Sequence, residues 1–179
     1  MLNKRRVSPE SQGVVLEALE QRVLLSAAPV ISEFMASNDT TLLDGDSNSS
    51  DWIELHNSGD AAVDLAGWFL TDDETDLTQW QFPSDPGIDT MLDPGEYLIV
   101  FASNEDDIYP YVDPQGYLHT NFKLSTNDGN QHESVLLVRD DGTTIEHGYI
   151  DYPEQVADIS YGRVNAFEAQ TLISPGDPA

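Results

Sequence analysis

Apolar residues fall along this chain in short runs broken by Gly, Pro, Asn and Asp, and no interior stretch sustains the 3.6-residue repeat of an amphipathic helix. Runs of this kind, bounded by turn residues, predict an all-β protein folded as a sandwich of two packed sheets. The candidate strands are about 29–36, 51–57, 61–70 with a break near Ala66-Gly67, 78–82, 96–102, 119–124, 133–139, 143–150 and 157–162. Between Val135-Leu136-Leu137-Val138 and Thr143-Thr144-Ile145 stands Asp141-Gly142, which offers the positive φ angles of a tight primed turn. Strands 133–139 and 143–150 are therefore expected to pair. Pro83, Pro86, Pro94, Pro110, Pro114 and Pro153 all lie between apolar runs, where a missing amide donor does no damage. Trp52, Trp68, Trp80, Phe101 and Phe122 are expected in or near the core, with Trp52 and Trp68 both largely buried. Aromatic residues on successive strands can also line a groove, but large rings filling a sandwich interior is the simpler reading.

Composition narrows the picture. A chain of 179 residues with 39% hydrophobic content can bury one sizeable core, so a single domain with appendages is expected. Seven Lys and Arg face 33 Asp and Glu, a net charge of −26. Four of the basic residues, Lys4, Arg5, Arg6 and Arg22, precede residue 29, and the body beyond carries about −27. Such a body repels nucleic acid, whose binding depends on Lys and Arg meeting phosphates, and gains nothing from an anionic lipid surface. The absence of cysteine excludes disulfides, thiol catalysis and Cys-ligated zinc.

Residues 1–28 differ from the rest. Glu17, Glu20 and Arg22 interrupt their apolar run, which excludes a membrane span and makes a poor apolar core for an ordinary secretory signal. Leu19-Glu20-Gln21-Arg22-Val23-Leu24-Leu25-Ser26-Ala27 resembles the L-E-P-R-x-L-L-S-A sorting segment at the start of large exported bacterial proteins, with Gln21 in place of the proline. This likeness implies export to the cell surface or medium. A short amphipathic helix, with Leu16, Leu19 and Val23 on one face, is the alternative. The expected organisation is a targeting segment at 1–28 and one domain at 29–179.

The body carries a series of motifs in order. Asp51-Trp52-Ile53-Glu54-Leu55 is followed by Val63-Asp64-Leu65-Ala66-Gly67-Trp68, then by Leu92-Asp93-Pro94-Gly95-Glu96-Tyr97-Leu98 and Phe122-Lys123-Leu124-Ser125. Val30-Ile31-Ser32-Glu33-Phe34 precedes them, and Ser160-Tyr161-Gly162-Arg163 and Ser174-Pro175-Gly176-Asp177-Pro178 close the series. The order resembles the lamin-tail domain, and the resemblance implies an immunoglobulin-like β-sandwich. It also implies a binding, adhesion or spacer module without catalysis, with an unidentified protein or surface polysaccharide as partner. The bacterial members sit beside hydrolase, nuclease or spore-coat kinase-like domains, so an accessory domain of a larger secreted enzyme is the alternative. The end of the chain just past the closing motif is expected of a piece or short relative of such a multidomain protein. The nuclear-filament reading of the eukaryotic members fits poorly, because no heptad rod precedes the domain.

Candidate chemistry is sparse. Asp44-Gly45-Asp46-Ser47-Asn48-Ser49-Ser50-Asp51 sets oxygen-bearing side chains at alternating positions, a pattern suited to the six to eight hard oxygen ligands of calcium. Asp44, Asp46, Asn48 and Asp51 are the candidate ligands. The glycine is at position 45 and Leu55 stands where an EF-hand places its Glu, so the same residues also read as an ordinary turn. Asp72-Asp73-Glu74-Thr75-Asp76 is a second acidic cluster. His56, His119, His132 and His147 lack metal-site spacing, and no nucleophile elbow, phosphate loop or dinucleotide fingerprint is present. Function is therefore expected in loops, chiefly 44–51, 72–76 and 105–115, on a non-catalytic body.

Overall fold

The computed structural model describes residues 26–105, 107–127 and 133–162, and these form β-strands and turns without helix. In chain order the strands are β1 (Pro29–Met35), β2 (Asp51–Asn57), β3 (Val63–Asp64), β4 (Phe69–Thr71), β5 (Trp80–Gln81), β6 (Met91–Leu92), β7 (Tyr97–Ala102), β8 (Tyr111–Val112), β9 (Leu118–His119), β10 (Ser134–Val138), β11 (Ile145–Ile150) and β12 (Tyr161–Gly162). One sheet has the order β12-β1-β2-β7-β9-β8, a second β11-β10-β4-β5, and β3-β6 make a small third ladder. The expected all-β sandwich is therefore the fold. The sorting-like residues 1–25, His132 and the closing motif at Ser174–Pro178 lie outside the described residues.

Alternation places the core. On β2, Ile53 and Leu55 point inward beside Ile31 and Phe34 of β1 and Val100 of β7, and they meet Leu70, Trp80, Val135 and Leu137 from the other sheet. Complete burial of a side chain of this size contributes about 1.5–3 kcal/mol, so this cluster is the main source of stability. The other phase of the same strands is also used. Met35, Trp52 and Phe101 form a second cluster on the outer face, covered by Leu42, Ile99 and Tyr117. The loop between β1 and β2 thus folds back over its own sheet.

Several expectations need correction. Trp52, Trp80, Phe101 and Phe122 are buried, but Trp68 is only half-buried, packed at the rim of the core with the Arg139 guanidinium 5.9 Å above its ring. The β10–β11 hairpin forms, yet not through a two-residue primed turn. Only Gly142 has positive φ (+66°), and its amide donates to Arg139 O at 2.9 Å. Arg139 N–H and Thr144 O close the loop at 2.9 Å, and a register shift follows at Leu137/Val138. That combination is an ordinary turn followed by a left-handed glycine bulge. The predicted strand at 119–124 shrinks to β9, which runs parallel to β7 through Val100↔Leu118 and Phe101↔His119.

At one rim of the sandwich, β1 and β11 are joined by side chains. Ile31 N–H donates to His147 Nδ1 at 3.2 Å, and Tyr149 OH donates to Ile31 O and Ser32 O at 3.3 and 3.4 Å. This seam sits where the β1–β2 register slips between Ile31 and Glu33.

Candidate functional site

Short-range hydrogen bonds shape the loop at 44–50. Asp44 is buried, and its Oδ1 accepts the amides of Asp46 (3.0 Å) and Asn48 (2.8 Å) while Oδ2 accepts Ser50 Oγ–H (3.0 Å). An Asp that bonds the backbone two residues onward is an Asx-type turn, the reason Asp and Asn recur in such loops. Asn38 pins the loop's base, donating from Nδ2 to Leu42 O (2.5 Å) and Ser50 O (2.9 Å).

A second Asp, 69 positions after Asp44, completes the arrangement. Asp113 Oδ1 accepts the amides of Gln115 (2.8 Å) and Tyr117 (2.9 Å), and Oδ2 accepts the amide of Gly45 at 2.5 Å. A β-carbon on Gly45 would stand 2.4 Å from the Asp113 carboxyl carbon, so this approach requires glycine. The glycine misplaced for an EF-hand is thereby explained. Tyr111 OH donates to Asp46, whose carboxylate pushes the phenol up to about 12. Two of the three loops singled out from sequence are joined in this way.

The same Asp113 Oδ2 lies 3.3 Å from His119 Nε2, and His119 Nδ1 lies 2.8 Å from Ser103 Oγ. Burial alone would push Asp113 up, but the bonds from Tyr117, Gly45, His119 and Gln115 outweigh it and hold the carboxyl below the usual range. With Asp113 ionised, Nε2–H donates to it, and in the neutral ring Nδ1 then accepts the Ser103 hydroxyl proton. Ser103, Glu105, His119 and Lys123 line a polar cleft with Asp46 and Asn48. Sequence reasoning missed this Ser–His–Asp chain, because its members are spread over 103, 113 and 119 with no motif to join them. The order nucleophile, base and orienting carboxylate is that of an acyl-transfer site. However, the amides of Asn104 and Glu105 donate to Phe122 O (3.1 Å) and Thr120 O (2.9 Å), so neither serves as an oxyanion donor beside Ser103. The chain instead ties the β8–β9 turn, β9, the end of β7 and the 44–50 loop into one unit.

Asp51 does not join Asp44. Burial pushes its carboxyl up to about 6, against the opposing pull of Asn38 N–H, Lys123 and Leu124 N–H. Among the described residues, no three Asp, Glu or His side chains stand together as ligands of one metal ion. The oxygens of Asp44 are engaged by N–H and O–H donors of its own loop. The third loop, 72–76, borders another cleft. There Asp73 Oδ1 accepts the Thr75 amide and hydroxyl, both at 2.7 Å, and Ser134 Oγ–H donates to Glu74 Oε1 at 2.7 Å. His56 stacks on Tyr97 at 4.1 Å, away from every one of these groups.

Two packed, largely antiparallel sheets joined by turns define an immunoglobulin-like module, the class that the motif order implied. The family model for the Lamin Tail Domain matches residues 26–151, and the chain belongs to that family. No curated protein matches the chain. The matched span contains the whole polar cleft, and β12 adds to the same six-stranded sheet beyond it.

Proposed function

We propose that this domain is a non-catalytic binding or adhesion module of an exported bacterial surface protein. The carrying observation is the convergence of loops 44–50 and 103–119, distant in sequence, on one polar cleft over a lamin-tail sandwich. Serine hydroxyls, the carboxylates of Asp44, Asp46 and Glu105, and the Lys123 ammonium offer directional hydrogen bonds without an apolar pocket, which suits a surface polysaccharide or a polar peptide. The full chain, immobilised and presented with cell-envelope polysaccharide and protein fractions, is expected to retain a ligand. Lys123→Gln together with Glu105→Gln is expected to abolish retention, and thermal melting of the same variant separates lost contact from lost fold. Undiminished retention by that variant would remove the cleft from the proposal. Export rests on the basic start and the sorting-like residues 19–27. A reporter fused to residues 1–28 is expected to leave the cytoplasm, and a wholly cytoplasmic reporter refutes the export reading.

Calcium at Asp44, Asp46, Asn48 and Asp51 belongs to the same proposal. The ion would take over Asp44 oxygens now held by amides and draw Asp51 from its place near Lys123. Binding at one hundred times the dissociation constant would add about 2.7 kcal/mol of stability. Calcium and magnesium are to be compared at matched ionic strength, on the wild type and on Asp44→Ala with Asp46→Ala. Equal shifts from both ions, unchanged by the double substitution, would leave Asp44 solely as a clamp of its loop.

A further inference from the structure

The family match ends at residue 151, yet the chain beyond it returns to the first sheet as β12. Tyr152 roots this segment, buried with its hydroxyl donating to Ser125 O at 2.7 Å. From there to β12 apolar burial contributes little, since Val156 and Ile159 are each 60% exposed. Polar contacts hold the segment instead. Asp158 N–H donates to Ser37 O at 2.8 Å, while Asp158 Oδ1 accepts the amides of Asp39 (2.7 Å) and Thr40 (2.9 Å) and Oδ2 accepts Thr40 Oγ–H (2.6 Å). Ser160 Oγ–H donates to Glu33 Oε2 at 2.9 Å, and β12 pairs with β1 through Tyr161↔Phe34 and Gly162↔Glu33.

What Asp158 holds is the start of the loop that folds over the outer face of this sheet. Two residues past Thr40, Leu42 packs on Met35, Trp52 and Phe101. Trp52 is 7% exposed, and its indole N–H is the buried side-chain donor left without an acceptor among the described residues. A buried donor with no acceptor is costly, and lifting Leu42 would let water reach it. The covered state therefore needs fastenings that offset this cost. The tip of the loop has its own, the bond from the Gly45 amide to Asp113. For the 39–42 part, the fastening from outside the loop is Asp158.

We propose that residues 156–162 are a latch: while β12 is paired with β1, Asp158 holds the 39–40 turn and Leu42 stays closed over Trp52. When β12 detaches, the turn is released and the apolar face of Met35, Trp52 and Phe101 opens. This stands independently of the polar cleft and of calcium. Hydrogen exchange by NMR on the full chain tests it, read at the Asp39 and Thr40 amides, at the Trp52 indole N–H and, as a core reference, at the Leu136 and Leu137 amides of β10. Asp158→Gly removes the carboxylate and accommodates the positive φ (+61°) at this position. Gly162→Ala would set a β-carbon 2.2 Å from Ser32 O and push β12 off β1, while altering no group of the 39–42 turn. Each substitution is expected to speed exchange at the turn amides and at the Trp52 indole at least tenfold, with β10 unchanged, and the double variant is expected to be no faster than Asp158→Gly alone. Gly162→Ala with the turn amides at their wild-type rate would overturn the latch, because β12 and the turn would then be fastened separately. A freed turn with an unmoved Trp52 indole would overturn the link to the apolar face, and an equal speeding of β10 would make the opening global rather than a latch. The wild type decides the matter without any variant: in low urea these three protons are expected to exchange through one shared opening, ahead of β10, and separate openings would overturn the proposal.

Discussion

Asp51 offers the sharpest quantitative test of the packing described above. It opens β2 beneath the folded-back loop, and burial lifts its carboxyl from 3.8 to about 6. The folded state therefore binds this proton more tightly than the unfolded chain does. The protonated group's stabilisation is fully present below about pH 3.8 and is lost as pH rises through about 6. At about 1.4 kcal/mol per unit the shift amounts to roughly 3 kcal/mol, and partial solvent access to Asp51 reduces it to about 1–2 kcal/mol. Asp51→Asn, which keeps the shape and removes the charge, is expected to be more stable than wild type by that amount at pH 7.5. The difference is expected to vanish near pH 4. Urea midpoints of both proteins between pH 4 and 8 measure it, and the pairwise difference cancels the general relief of charge repulsion on acidification. An Asn variant less stable than wild type at pH 7.5, or a gap that does not close on acidification, would show that Lys123 and the nearby amides outweigh burial.

Three further expectations follow from the same geometry. Gly45→Ala sets a methyl group against the Asp113 carboxylate and is expected to cost about 2–3 kcal/mol by thermal melting, with faster amide exchange at Asp46 and Asn48; a neutral result would contradict the Asp113 clamp. Trp68→Ala is expected to cost about 1–2 kcal/mol against about 3–5 for Trp80→Ala, because Trp68 is half-buried and Trp80 is core; equal losses in denaturant titrations would contradict that placement. Ser103 is expected to stay unlabelled by a fluorophosphonate probe, since the amides that follow it are committed elsewhere. A mass increment on Ser103 that disappears in His119→Ala would instead reveal a working nucleophile.

The long strands were legible because burial on alternate residues leaves a mark that survives without knowledge of the partner. β1, β2, β7, β10 and β11 all fall within their predicted spans. The two-residue strands β6 and β8 carry no such mark, since two residues are too few to show alternation and pairing alone defines them. Trp68 was misjudged for a related reason: a motif tryptophan reads as core, and only the fold reveals that it lies under Arg139 at the rim. At 44–50 the composition was legible but not its use. Asp44 bonding its own backbone and Asp44 awaiting an ion have the same sequence, and the Asp113 carboxylate that holds the Gly45 amide belongs to another loop.

The seam between β1 and β11 bears on self-association. A strand edge with open amides and carbonyls is a template on which another molecule can add its own strand, and long apolar edges lead to aggregation. At Ile31 and Ser32 the outward donor and acceptors are taken by the imidazole of His147 and the phenol of Tyr149. Side chains here do what a neighbouring strand would do, yet they present no backbone of their own for further growth. Removing these two plugs, as in His147→Ala with Tyr149→Phe, would uncover the ladder groups while leaving the interior intact. The expected result is a folded protein that associates through this edge, with its molecular weight by light scattering rising as concentration increases.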